Sequence, residues 1–106
     1  MVINMSLMEG NKDNFDSLIK NKKVLVDFWA GWCGPCMMLL EELEMIKDKI
    51  DIIKIDVDNN MELCKKYGIM SVPTLIYFKN DGTFEKKIGF MPKDELLKWV
   101  GEKDVK

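Results

Sequence analysis

Two thiols separated by two residues, Cys33-Gly34-Pro35-Cys36, are the feature of this chain best suited to chemistry. Thiols close structural disulfides, ligate soft metals, or exchange disulfides by nucleophilic attack. Position decides among these. On a helical turn, residues at i and i+3 bring their Cα atoms about 5–6 Å apart, a span that a disulfide accepts. Gly31-Trp32-Cys33-Gly34-Pro35 carries turn chemistry, and Pro35 suits the first position of a helix, where its missing N–H costs nothing. Cys33 then stands at the helix mouth, where free backbone N–H groups and the positive dipole end favour a thiolate. Cys36 falls inside the helix on its apolar face, shielded and protonated. The spacing yields one nucleophile open to water and one sheltered partner able to resolve what the first captures.

The rest of the composition narrows the alternatives. A structural zinc site needs two further ligands, and the chain has no histidine and a single additional cysteine, Cys64. The lack of histidine also removes Ser–His and Cys–His nucleophile pairs. A structural disulfide framework would more often use an even cysteine count. Cys64, beside Leu63 in a short helix, reads as a small packed hydrophobe; a secondary redox thiol is the alternative. A net charge of −2 with interspersed signs gives no basic footprint for nucleic acid or an anionic membrane. No apolar run approaches the roughly 20 residues of a membrane span. Residues 1–6 lack the basic-then-apolar pattern of a secretory leader, so a cytoplasmic protein is expected.

The elements that must hold the thiols are legible from periodicity. The 106 residues fit one domain, 1–106. Val2–Ser6 reads as a short strand and Asn11–Asn21 as a helix with Phe15, Leu18 and Ile19 on one stripe, capped by Asn11 or Asp13. Val24-Leu25-Val26-Asp27-Phe28-Trp29 suits a strand buried on both faces of a parallel sheet. The dithiol helix is expected over Pro35–Asp48, with Cys36, Leu39, Leu40, Leu43 and Ile46 on its apolar face. A strand over Ile50–Val57 follows, then a short helix capped by Asn59 or Asn60 and stopped at Gly68. Thr74–Phe78 and Thr83–Ile88 form a hairpin through Asn80-Asp81-Gly82, and Pro92 opens a last helix. The order βαβαβαββα predicts an α/β fold: a mixed sheet of about five strands flanked by four helices.

The string from Val26 to Cys36, VDFWAGWCGPC, closely resembles the active-site segment of thioredoxins. Tyr67-Gly68-Ile69 and Val72-Pro73-Thr74 resemble the family's later motif, and Phe78–Gly82 with Ile88-Gly89 resembles its hairpin and following glycine. The resemblance runs through nearly the whole chain in order. It implies the thioredoxin fold and a protein-disulfide reductase in which Cys33 attacks a substrate disulfide and Cys36 resolves the mixed disulfide. It implies that Asp27 is the buried carboxylate that helps move the Cys36 proton, that Lys54 lies near it, and that Pro73 is a cis-proline beside the dithiol. It implies a docking rim of Trp32, Gly34, Pro35, Val72, Gly89 and Phe90, with Val72 offering backbone hydrogen bonds to an extended client; Met70 joins that rim. A thioredoxin reductase would supply electrons, disulfide-bearing proteins would be the clients, and the active species would be a monomer without cofactor or metal beyond its own disulfide.

Three departures stand out. Met37 replaces the usual cation after the second cysteine, Glu41 stands where a kinking proline is usual, and the stretch from Cys36 to Lys54 is about four residues short, close to one helical turn. They predict a greasier rim and a shorter, straighter dithiol helix. Two other functions remain compatible with the residues. One is a disulfide-forming or isomerising relative, the other a non-catalytic docking module that uses only the rim. Asp27 and Lys54 also admit plainer roles as solvated strand residues.

Overall fold

The structure, a computed structural model, describes residues 7–101. Five strands, β1 (Leu7–Glu9), β2 (Val24–Trp29), β3 (Asp51–Asp56), β4 (Thr74–Phe78) and β5 (Phe84–Ile88), form one sheet in the order β1-β3-β2-β4-β5. β1, β3 and β2 run parallel, whereas β4 and β5 are antiparallel to their neighbours, so the sheet is mixed. Four helices, α1 (Phe15–Ile19), α2 (Gly34–Ile46), α3 (Met61–Lys66) and α4 (Lys93–Trp99), cover its two faces.

The alternation of β2 explains the layers. Side chains along a strand point to opposite faces. Val24, Val26 and Phe28 pack with Phe15 of α1 and Leu63 of α3. Leu25 packs on the other face with Leu39 and Leu43 of α2 and Leu96 of α4. Both faces being covered, β2 is buried from Val24 to Phe28, which is why it reads as an almost unbroken apolar run.

Several boundaries differ from the sequence reading for identifiable reasons. The strand expected over Val2–Ser6 lies outside the described residues, and β1 is found just beyond it. α1 is five residues long rather than spanning Asn11–Asn21. The Asn11 carboxamide oxygen accepts the N–H groups of Asp13 and Asn14, at 2.8 and 3.1 Å, and closes a turn where a helix was expected. Asn60 does not cap α3 with its side chain. Its oxygen accepts Lys12 N–H at 3.1 Å and its amide donates to the Asp56 carbonyl at 2.9 Å, tying α3 to the loop before α1. α2 ends at Ile46, two residues short of the expected Asp48, and Leu40 is only half-buried. Trp99 is half-buried as well, its indole N–H donating to Glu85 of β5 at 2.8 Å.

Candidate active site

β2 ends beside the point where α2 begins, and the dithiol occupies the turn between them. Ala30 is fully buried, and its carbonyl accepts the Cys33 N–H at 3.2 Å, fixing the turn. Cys33 is the N-cap of α2 with extended backbone (φ −101°, ψ 110°), and Pro35 stands in the first turn. The Cys36 N–H, one of the helix's free donors, points at the Cys33 Sγ at 3.2 Å. The two sulfurs are joined as a disulfide across a Cα–Cα distance of 5.2 Å.

The expectation of a Cys33 sulfur open to water is corrected by the structure. Cys33 is 6% exposed and Cys36 is 1% exposed. The disulfide closes the first helical turn, and the Cys33 Sγ lies 3.7 Å from the carbonyl oxygen of Val72. The asymmetry survives in attenuated form: Cys33 keeps an edge toward solvent, and Cys36 lies on the stripe with Leu39, Leu43 and Ile46.

The loop before β4 closes the other side. The Val72–Pro73 peptide bond is cis, and the Pro73 carbonyl accepts the Gly89 N–H at 2.9 Å. Gly89 has φ +100°, a backbone conformation that side chains disfavour, so this turn is reserved for glycine although a Cβ there would meet nothing within 4 Å. Trp32 is 71% exposed, yet its indole is held by donation to Asp58 Oδ2 at 3.0 Å. Beside the disulfide lies an open groove of about 580 Å³, lined by Trp32, Val72, Met70, Met61, Ile69 and Cys64 among others. Of the expected rim, Trp32, Val72 and Met70 thus share one groove. Gly34, Pro35, Gly89 and Phe90 do not line it, although Gly34, Pro35 and Phe90 are exposed. Cys64 is half-buried, and burial, with Asp56 and Asp58 nearby, pushes its thiol pKa up.

Asp27 lies on β2, two residues before Trp29. It is fully buried, and neither carboxylate oxygen has a hydrogen-bond partner among the described residues. It shares the α2 face of β2 with Leu25, which packs on Leu39 and Leu43, and with Trp29, which packs against the Cys33–Cys36 cluster. Burial raises its pKa from 3.8 to about 7; the Lys54 ammonium opposes that rise and the Glu9 carboxylate adds to it. Lys54 is the register partner of Asp27 in β3, so the two are brought together across adjacent strands. The Lys54 Nζ, however, rests over the Trp29 ring, 4.2 Å from its centroid. Glu9, Asp58 and Met61 are the residues that sequence reasoning missed. Glu9 is the register partner of Lys54 in β1. Its only sequence signal was a strand whose position was misread by several residues.

The thioredoxin family model matches residues 6–102. The chain belongs to the thioredoxin family. It is 43% identical to the thioredoxin of Bacillus subtilis (strain 168) over 102 residues, covering 92% of this chain and 98% of that one. It is 48% identical to a Staphylococcus epidermidis thioredoxin over 96 residues, covering 87% and 92%. Among solved structures it resembles chloroplastic thioredoxin z (TM-score 0.83, 29% identity, 100% and 99% covered). It also resembles a mutant thioredoxin from Halobacterium salinarum (TM-score 0.84, 31% identity, 94% and 93% covered). The protein is therefore a thiol-disulfide oxidoreductase that reduces protein disulfides by dithiol–disulfide exchange, with its own disulfide as the redox group. Its partners in general are a reductase and disulfide-bearing clients. No helix among the described residues is long and apolar enough to cross a membrane.

Proposed function

We propose that this chain acts as a single-domain, monomeric, cytoplasmic reductase in which Cys33 is the attacking and Cys36 the resolving thiol. The observation that carries the reading is the placement of Cys33 as the N-cap of α2, with the Cys36 N–H aimed at its sulfur. In the reduced protein the Cys33 thiolate attacks one sulfur of a client disulfide. A mixed disulfide forms, and the other client sulfur leaves as a thiolate. Asp27, buried and without partners, accepts the Cys36 proton. The Cys36 thiolate attacks the Cys33 sulfur, breaks the bond to the client and expels the second client thiolate. Two electrons have then passed to the client, and the Cys33–Cys36 disulfide has formed. A thioredoxin reductase returns two electrons to complete the cycle.

Lys54 supports the ionised state of Asp27 once the proton has been passed on, because its ammonium favours the carboxylate. Trp32, Val72 and Met70 seat the client along the groove, with Gly34, Pro35, Pro73, Gly89 and Phe90 shaping the turn around the disulfide. The Val72 carbonyl lies 3.7 Å from the Cys33 sulfur, so an extended client backbone can pair with Val72 beside the disulfide.

Insulin-disulfide reduction with dithiothreitol tests the assignment. Cys33→Ser abolishes the catalysed rate, and reduced Cys36→Ser mixed with insulin after removal of dithiothreitol accumulates a mixed disulfide visible as a covalent adduct on a non-reducing gel. Equal rates for wild type and Cys33→Ser would overturn the reading.

A further inference from the structure

A row of side chains crosses the sheet on the face that carries α2. Glu9 of β1, Lys54 of β3 and Asp27 of β2 are register partners in adjacent parallel strands. Two residues earlier in each strand, Leu7, Ile52 and Leu25 pack on the face that carries α2 and α4, so the row lies on that face. Leu75 of β4 continues the row without a charge, and Lys87 of β5 beyond it lies over Trp99, 5.5 Å from the ring centroid. Asp56 shares the face of Lys54 in β3, and its carboxylate is engaged by Asp58 N–H and Asn59 at 3.0 Å each. Lys54 and Glu9 are the charged groups that act on the Asp27 carboxyl.

Trp29 binds the row together. Its indole N–H donates to Glu9 Oε2 at 3.2 Å, and its ring carries the Lys54 ammonium at 4.2 Å. Its body packs against the Cys33–Cys36 cluster. Lys54 forms no ion pair with any carboxylate among the described residues. Its ammonium is placed by the indole face, through cation–π attraction, and the indole is placed by Glu9.

We propose that Glu9 is a positioning residue for the resolving step: it holds the Trp29 indole beneath Lys54 and offsets part of the ammonium's charge, and so sets the field that Asp27 feels. The proposal rests on the reading of Asp27 as the acceptor of the Cys36 proton. Without Glu9, Lys54 acts on Asp27 unopposed, and the carboxyl ionises at lower pH. The direction agrees with the sign of the Glu9 effect on Asp27. Glu9 itself is exposed, so the change is partial rather than complete.

The experiment follows oxidation of the reduced full-length protein by insulin in a stopped flow, reading tryptophan fluorescence from pH 6 to 9. Wild type, Glu9→Gln, Asp27→Asn and the double variant are compared. Glu9→Gln keeps an oxygen for the indole N–H and removes only the charge. It is expected to move the Asp27 limb of the profile down by about half a pH unit, making resolution about threefold faster below the midpoint. In the Asp27→Asn background the same substitution produces no shift. A Glu9 that served only to hold β1 in place would change the rate equally at every pH and leave the midpoint fixed, which would overturn the proposal. Should Asp27→Asn itself leave the profile of the wild type intact, the proton-acceptor reading falls and this proposal falls with it. Should Asp27→Asn alter the profile while Glu9→Gln does not, only the role of Glu9 is refuted.

Discussion

Replacing Asp27 with asparagine should stabilise the protein at alkaline pH and do nothing of the kind in acid. In the folded chain the carboxyl is buried, lacks hydrogen-bond partners and titrates at about 7, whereas its ordinary value is 3.8. Below pH 3.8 both folded and unfolded states hold the proton, and the group contributes nothing to the balance. Between 3.8 and 7 the unfolded chain releases the proton while the folded chain keeps it. The folded state then binds more protons than the unfolded one, so stability falls as pH rises. At 1.36 kcal/mol per pH unit, the accumulated penalty above pH 7 is about 4 kcal/mol. Asparagine has the same shape and no charge to release. Its buried amide carries a pH-independent cost of about 1–3 kcal/mol if unpaired, so the informative quantity is the slope and not the offset. Guanidinium unfolding of the oxidised protein at pH 4, 5, 6, 7 and 8 measures it, with the disulfide removing Cys33 and Cys36 from the titration. The stability difference, variant minus wild type, should climb across this window and level off above pH 7. A difference that stays flat, or declines toward alkaline pH, would refute the argument that Asp27 is neutral in the fold at acid and near-neutral pH.

Two further substitutions or treatments test the packing and the third thiol. A Cβ at Gly10 would lie 2.7 Å from Ile53 Cγ2 and 3.2 Å from Ile55 Cδ1. Gly10→Ala is therefore expected to lower stability by about 1–3 kcal/mol in the same denaturation assay, and an unchanged midpoint would contradict the close approach of β1 to β3. Cys64 has its thiol pKa raised by burial and by neighbouring carboxylates, so it is mostly protonated at neutral pH and slow to alkylate. Iodoacetamide applied to the reduced protein at pH 7 should modify Cys33 well before Cys64, as mapped by peptide mass spectrometry, and comparable labelling of the two would show that Cys64 is activated.

What was legible in the sequence follows the strength of local constraint. β4 has the same bounds as expected, and β2 lies where its double-sided apolar run put it, because layers on both faces leave a nearly unbroken apolar pattern in which Asp27 is the one charged interruption. α2 was legible from Cys36, Leu39, Leu43 and Ile46, which recur at helical spacing. Asn11 and Asn60 misled because asparagine serves caps, turns and tertiary contacts alike, and only the fold decides which carbonyl or N–H lies within reach. The pairing of Asp27 with Lys54 could not be obtained from spacing, since it depends on the register of two parallel strands separated by a helix. The family resemblance supplied it. Glu9 had no such help: β1 is three residues long, and the expected strand ended before it began.

The buried carboxyl is hard to explain as architecture. Its penalty near neutral pH, about 4 kcal/mol, is large against the roughly 5–15 kcal/mol by which domains are normally stable. Neither oxygen makes a hydrogen bond among the described residues that would offset it, and the register neighbour on β4 is Leu75, an apolar side chain. A structural residue under such conditions would be better replaced by an apolar one. A proton acceptor has the opposite requirement: it must be neutral or ionised in comparable measure at working pH, so that a proton can arrive and leave. Burial pushes the group toward the neutral form, and the Lys54 ammonium favours the carboxylate. In the proposed mechanism the indole of Trp29 keeps the ammonium close without an ion pair, Glu9 offsets part of its charge, and the buried carboxyl titrates near 7.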